Sequence, residues 1–430
     1  MKSYKILFDT DVLVPVWCGR AIGTGIYYSA YYILLEMLRR EDLEVVVFSG
    51  TGQTGRLAYA LEKMSLSSFS YTLNIWPTDI FSKGISCCEY YRFKSFEKYK
   101  KKFWLRFKRA IVKLLMQKPL EKLEFYKQRW FNTINSFDIY FSPMYKIPDY
   151  IEKNKHIKKY VMLYDTVPLI MDNNIASDEN SWYMQLIKQI NQNDNYFTIS
   201  DFAKNEFIRH ISALREDQIE VTHLAAGSSF YPDRASERNS AVRKKYGIPQ
   251  NKRYFLSLCT IEPRKNLVFA VKNFIAFIKN NNITDLVFVL AGGHWAQFSA
   301  EISKEISDFD NQNFIIIQTG YVAEEDLSPL YSNAECFVYV SKYEGFGLPP
   351  LEAMQCGTPV ITSNAASLPE VVGDAGMMVD PYDDSALIKA YEDIYSDGEL
   401  RKELSRKGIE RAKQFSWKKC VDTMVEKFKE

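Results

Sequence analysis

The sequence predicts an α/β protein of two doubly wound domains that face each other across a cleft, and three observations carry that prediction. The chain has 430 residues, more than one hydrophobic core normally fills and enough for two domains of about 200 residues each. Short apolar runs alternate with helix-like segments along most of its length, the rhythm of parallel sheets covered on both faces. The rhythm lapses at YPDRASERNSAVRKKYGIPQNKR (231–253), where charge, Ser, Gly and Pro mark a linker followed by a boundary helix. The expected division is a first domain over 1–228, a second over 229–410, and a terminal helix over 411–430 that packs back toward the first domain.

The elements follow in order. Strand YKILFDT, the glycine-rich loop CGRAIGTG, helix IYYSAYYILLEMLRR and strand LEVVVFSG form a β-α-β opening. FDIYFSP, KKYVMLYDTVPL, YFTIS and IEVTHLAAG continue the first sheet, with helices in ENSWYMQLIKQI and DFAKNEFIRHI. The second sheet reads as RYFLSLCT, DLVFVLAGG, NFIIIQTG, CFVYVS, TPVITSN and GMMVDP, and the remaining tail is helical. Hydrophobic residues make up 47% and charged ones 25%, which excludes extended disorder.

No uncharged apolar run is long enough to span a bilayer, and the start MKSYKILFDTD has no apolar core of a signal peptide, so the expected location is cytoplasmic. Cys18, Cys87, Cys88, Cys259, Cys336, Cys356 and Cys420 are scattered and odd in number, which argues against a disulfide framework or a zinc site. The net charge of +2 is less informative than its distribution. Between Arg92 and Arg129, Lys and Arg interleave with aromatic residues and meet only three acids, Glu97, Glu121 and Glu124. Such a stretch suits an anionic membrane surface, with Lys100, Lys101, Lys102, Trp104 and Arg106 as the docking residues; the alternative is a solvated helix face. No motif beside it points to nucleic acid.

The chemistry concentrates in SKYEGFGLPPLEAMQCGTP (341–359), which follows a predicted strand. Glu344 falls on the strand-to-helix loop and Glu352 in or near the first helical turn, with Pro349 and Pro350 where the helix opens. Gly345 and Gly347 let backbone approach a ligand at the carboxyl end of a strand, where open α/β sheets bind. Two carboxylate acceptors beside exposed amides suit a polyhydroxylated ligand; taken singly, Glu352 reads more readily as complementing the helix dipole and Glu344 as solvated, and the stretches that follow change that balance. TIEPRKN (260–266) brings Arg264 and Lys265 to a neighbouring mouth. Ser367 and the amides near Leu368 offer donors to a diphosphate, and Gly23, Thr24 and Gly25 occupy the equivalent mouth of the first domain.

The run EGFGLPPLEAMQCGTPVITSNAASLPEVVGDAGMMVDPYD resembles the donor-binding signature of retaining glycosyltransferases of family 4, the glycosyl transferases group 1, whose fold is GT-B with two facing Rossmann-like domains. With TIEPRKN and the glycine loop, the resemblance covers most of the chain and thins between about residues 50 and 150. It implies that Glu344 accepts hydroxyls of the donor sugar, helped by the amides of Phe346, Gly347 and Leu348. Glu352 would hold the nucleotide ribose, Arg264 and Lys265 would neutralise the diphosphate, and residues 23–25 would close over it. Two departures stand out: Cys259 occupies the place of an Arg found in many relatives, and Tyr164-Asp165 replaces a His-Asp pair near the transferred sugar. Tyr164 is therefore a candidate sugar or acceptor contact, and Asp165 a candidate catalytic residue beside Glu344, Lys265 and Arg264.

The EPRKN form is similar to bacterial mannosyl- and deoxyhexosyltransferases of O-antigen and capsule synthesis, which implies GDP-mannose as the favoured donor and a lipid-linked or oligosaccharide acceptor at the inner face of the plasma membrane. No cofactor and no essential metal are expected, although Asp9-Thr10-Asp11 has the look of a metal-binding triplet. Of His156, His210, His223 and His294, only His294 falls near the expected cleft. The competing readings are a nucleotide-sugar hydrolase or phosphorylase using the same cleft, and a catalytically silent sugar-nucleotide-binding scaffold at a membrane. A redox enzyme fits poorly, because CGRAIGTG lacks the full GxGxxG spacing.

Overall fold

The computed structural model describes residues 3–18, 23–49, 57, 60, 61, 134–170, 178, 180–293, 304, 306, 308 and 315–430. The basic stretch with Lys100, Lys101, Lys102, Trp104 and Arg106, and also His294, lie outside the described residues. Two six-stranded parallel sheets organise the rest. In the first, β1 (Tyr4–Asp9), β2 (Leu43–Phe48), β3 (Ile139–Ser142), β4 (Lys158–Leu163), β5 (Asn195–Thr198) and β6 (Ile219–Val221) run in the spatial order β2-β1-β3-β4-β5-β6. In the second, β7 (Arg253–Leu258), β8 (Leu286–Ala291), β9 (Ile316–Gly320), β10 (Cys336–Tyr339), β11 (Val360–Ser363) and β12 (Met377–Val379) run in the order β12-β11-β10-β7-β8-β9.

The strands read as nearly continuous apolar runs because helices cover both faces, and Leu286–Ala291 is buried at every position. Each sheet reverses direction once, between β1 and β3 in the first and between β7 and β10 in the second. Neighbouring strands there send their connections to opposite faces, which leaves a crevice at their carboxyl ends.

The α-helices of five or more described residues are, in chain order, α1 (Gly25–Leu38), α2 (Trp182–Gln189), α3 (Asp201–His210), α4 (Ser236–Lys245), α5 (Leu267–Asn280), α6 (Glu324–Ser332), α7 (Leu348–Gln355), α8 (Leu368–Val372), α9 (Asp384–Ser396), α10 (Gly398–Ala412) and α11 (Trp417–Lys429). Short polar side chains set several starts: Thr24, Ser181, Ser200, Asp383, Asp397 and Ser416 each accept a hydrogen bond from an amide of the first turn. Two boundaries differ from the sequence expectation. Helix α7 starts at Leu348, ahead of both prolines, so Glu352 falls just past its first turn. Arg264 and Lys265 lie on a 3-10 turn, Pro263–Lys265, that left-handed Asn266 (φ 59°) separates from α5. Pro263 fixes a tight turn there, and a long helix cannot begin until the backbone has reversed at Asn266.

Helix α11 belongs to the first domain by its packing, although it follows the second in sequence. Cys420, Val421, Met424, Val425 and Phe428 form its buried stripe. Phe428 meets Tyr160 of β4 and Phe197 of β5 with ring centroids 4.8 and 5.9 Å apart, and Trp417 stacks on Tyr32 of α1 at 5.2 Å. Arg40 pairs with Asp422, and the Tyr160 hydroxyl donates to the Lys427 carbonyl at 3.0 Å. One apolar cluster runs through both domains, and a second fills the other face of the first sheet around Tyr140, Val161 and Phe207. Among the described residues no helix is long and apolar enough to cross a membrane.

Because Phe428 is fully buried, Phe428→Ala is expected to lower the free energy of unfolding by about 4 kcal/mol. Urea denaturation of the full chain followed by circular dichroism measures this, and a loss of less than about 1 kcal/mol would contradict the packing role.

Candidate active site at the interdomain cleft

The connections leaving β7 and β10, the two strands at the direction change of the second sheet, carry the ionic centre of the molecule. Glu344 follows β10, and its carboxylate receives Lys265 Nζ at 2.7 Å on Oε1 and Arg264 Nη1 at 3.0 Å on Oε2. The Lys265 ammonium also donates to the Tyr339 hydroxyl at 2.6 Å, and the Arg264 guanidinium spans both oxygens of Glu262 at 3.0 Å. The two connections are tied through backbone as well: Lys342 N and Ser341 Oγ donate to the Arg264 carbonyl at 2.8 and 3.0 Å.

The Glu344 and Lys265 side chains are only 10% and 8% exposed, so the pair interacts where water screens little. Burial alone would raise the Glu344 carboxyl; Lys265 and Arg264 outweigh it and hold the value down at about 2. Cys259 is buried beside the same groups, and its thiol is pushed up to about 12 chiefly by burial. Asp165 approaches from the first domain. Burial raises its carboxyl while Arg264 pulls the other way, and its Oδ1 accepts the Val167 amide at 3.0 Å.

Gly345 and Gly347 do different work. Gly347 has φ of 119°, a conformation that side chains rarely adopt, and this turns the chain into α7. Gly345 lies against the first domain: a Cβ there would stand 2.7 Å from Asp165 Cβ and 3.0 Å from the Tyr164 carbonyl oxygen. Its bareness is already required by domain contact. The Phe346 ring is buried between His223 and Phe415, so what it could offer a ligand is its amide. Leu348 reaches across to the glycine loop, 3.7 Å from where a Cβ on Gly25 would stand. Gly23 packs against Tyr27 and Tyr28, and Thr24 accepts the Tyr27 amide at 3.5 Å.

Glu352 stands apart from that centre, with the Tyr331 hydroxyl donating to Oε2 at 3.0 Å. Burial pushes its carboxyl up to about 7, Tyr331 opposes the shift and Glu324 adds to it. Ser367 corrects the sequence expectation. Its hydroxyl is fully buried, 2.7 Å from the Phe346 carbonyl oxygen and 2.9 Å from that of Glu344, so it braces the loop and does not offer itself to a diphosphate. The Tyr164 hydroxyl is also enclosed, finds no hydrogen-bond partner among the described residues, and is raised by burial and by the Cys420 thiol nearby.

Several participants escaped the sequence reading. Glu262 and Tyr339 complete the ionic centre, and TIEPRKN and CFVYVS do contain them, but as ordinary strand and loop residues. The Tyr28 hydroxyl of α1 donates to Glu324 of α6 at 2.9 Å, a bond between domains separated by 296 positions. Nothing local in either segment signals it.

This geometry can be set beside known proteins. Residues 239–411 match the family described as Glycosyl transferases group 1. The second domain is similar to the glycosyl transferases group 1. Over 232 residues the chain is 36% identical to O-antigen chain mannosyltransferase B of Escherichia coli, covering 54% of this chain and 59% of that protein. Over 274 residues it is 30% identical to the serotype-specific mannosyltransferase WbdA of Escherichia coli, covering 63% of this chain and 33% of WbdA. The chain thus spans between a third and three fifths of the length of these relatives. The structure of HepE from Anabaena in complex with UDP and glucose superposes with a TM-score of 0.65 and 15% identity, covering 99% of each chain. The fold is therefore GT-B, with a group 1-like second domain that contains Glu344, Glu352, Arg264 and Lys265.

Glu352 supplies a test of its surroundings. Its folded value of about 7 stands above the ordinary 4.5, so the folded chain keeps a proton that the unfolded chain releases. The associated stability is present below about pH 4.5 and is lost as pH rises through about 7. Glu352→Gln removes the charge but keeps an acceptor for Tyr331. Its melting temperature relative to wild type is therefore expected to rise between about pH 5 and about pH 8 in differential scanning calorimetry; a pH-independent difference would contradict the buried carboxyl.

Proposed function

We propose that the chain is a retaining, metal-independent hexosyltransferase that moves mannose from GDP-mannose to a lipid-linked or oligosaccharide acceptor in bacterial surface-polysaccharide synthesis. The observation that carries this reading is the paired-cation site on Glu344 at the direction change of a group 1-like domain. The mannosyltransferase relatives support the choice of sugar. Glu344 would exchange part of its ion pairing for hydroxyls of the donor sugar, freeing Lys265 and Arg264 to face the diphosphate. Glu352, with Tyr331 behind it, would accept from the ribose.

The chemistry asks little else of the protein. Cleaving the bond from sugar to nucleoside diphosphate develops positive charge on the sugar and negative charge on the departing phosphate. Lys265 is held by Tyr339, so its ammonium, once Glu344 turns to the sugar, is positioned to stabilise that phosphate. The sequence identifies no enzyme nucleophile, which favours attack by the acceptor on the face from which the phosphate leaves. Asp165, raised by burial and turned toward Arg264 and Glu344, is suited to proton traffic with the acceptor hydroxyl.

Ligand-observed NMR with GDP-, UDP- and dTDP-sugars is expected to show selective binding of GDP-mannose, weakened about tenfold or more by Lys265→Ala. Binding of another nucleotide would replace the donor, and binding of none would place a scaffold role ahead of catalysis. Flotation tests the proposed residence on the inner leaflet. The full chain is expected to rise with anionic liposomes at low salt, and replacing Lys100, Lys101 and Lys102 by Glu is expected to abolish this. Failure of the wild-type chain to float would reject the membrane docking.

A further inference from the structure

We propose that Glu370 is a positioning residue that docks the second domain on the first and thereby sets the loop carrying Glu344; this rests on reading that loop as the donor site. Three groups of the first domain converge on its carboxylate. The Asp201 amide donates to Oε1 at 2.9 Å, the Phe202 amide donates to Oε2 at 3.2 Å, and His223 Nε2 lies 2.6 Å from Oε1. Those amides are the first two of α3, whose N-terminus carries partial positive charge and lacks helical acceptors. A helix of the first domain is thus capped by a carboxylate of the second.

The same helix end holds the donor loop directly. Ser200, the residue preceding α3, accepts the Ala203 amide at 3.0 Å and donates to the Gly345 carbonyl at 2.6 Å while fully buried. Glu370 and Gly345 are joined within the second domain through Ser367, which precedes α8 and braces the carbonyls of Glu344 and Phe346. Arg411 of α10 fixes the far side of α8 through the Glu370 and Val371 carbonyls at 2.6 and 3.0 Å. Displacement of Glu370 from α3 therefore moves Ser367, and with it the backbone on both sides of Gly345. Burial raises the Glu370 carboxyl, but His223 and the two amides prevail and keep it ionised below the usual range.

Ligand-type atoms of Asp201, His223 and Glu370 also come within 4.8 Å of one another. Both Glu370 oxygens already face N–H donors, which assigns the cluster to domain docking and not to a cation.

Glu370→Gln keeps the size of the side chain and removes the charge that the helix end and His223 engage. In the full chain it is expected to enlarge the radius of gyration in small-angle scattering relative to wild type. The dissociation constant for GDP is expected to stay within about twofold, because Lys265, Arg264 and Glu352, proposed to hold its diphosphate and ribose, lie together in the second domain. Turnover of GDP-mannose, read as GDP released, is expected to fall roughly tenfold, a split that loss of folded protein would not produce. Ser200→Ala probes the same docking from the opposite side and should give the same pattern if the first variant folds poorly. Wild-type scattering and turnover in either variant would overturn the proposal, as would a fall in turnover matched by the loss of GDP affinity. A wild-type chain that binds neither GDP nor UDP would count against the transferase reading, while the scattering comparison would still decide the docking.

Discussion

A buried carboxylate between two cations is the constraint on which the site depends. Glu344 cannot stay ionised in a nearly dry pocket without Lys265 and Arg264, and they in turn need it, Glu262 and Tyr339 to be tolerated there. These partners come from connections after β7 and β10, which are far apart in sequence and adjacent in space only because the sheet changes direction between them. The parallel sheet thus does more than supply a core. It brings opposite charges to one crevice and fixes their separation through backbone bonds such as Lys342 to Arg264.

Described residues of the first domain take part in that arrangement without joining the ion pairs. Gly345 fits against Asp165, Ser200 holds the Gly345 carbonyl, and Thr166 hydrogen-bonds Tyr343 at 2.8 Å. Tyr28 and Glu324 close another part of the boundary. The loop that carries Glu344 is consequently shaped from both sides, so its geometry is sensitive to the relative placement of the domains. Helix α11 adds a tie of its own: it continues from the second domain and packs Trp417 and Phe428 on the first.

Much of this was legible along the chain. Short apolar runs alternating with helix-like segments pointed to the two α/β domains, and the EGFGLPPLEAMQCGTP and TIEPRKN runs pointed to Glu344, Arg264 and Lys265, because glycine, proline and charge clustered after predicted strands leave little else for a loop to do. Ser367 misled for an instructive reason. A small hydroxyl ahead of a helix looks the same in sequence whether it faces a ligand or braces a neighbouring carbonyl, and here it does the second. The start of α7 was misjudged because two prolines mark a first turn without saying which of its positions they occupy.

What the sequence by itself determined was therefore local: which segments become strands and helices, where glycine and proline allow connections, and which charged residues stand at strand ends. Tertiary structure decided the pairings. That Lys265 meets Tyr339, that Tyr331 shields Glu352, and that Glu370 caps a helix of the other domain depend on long-range closure of the chain. The physical reason is that a carboxylate in sequence carries only its charge, whereas its ionisation and partners are set by the dielectric and donors that folding brings around it.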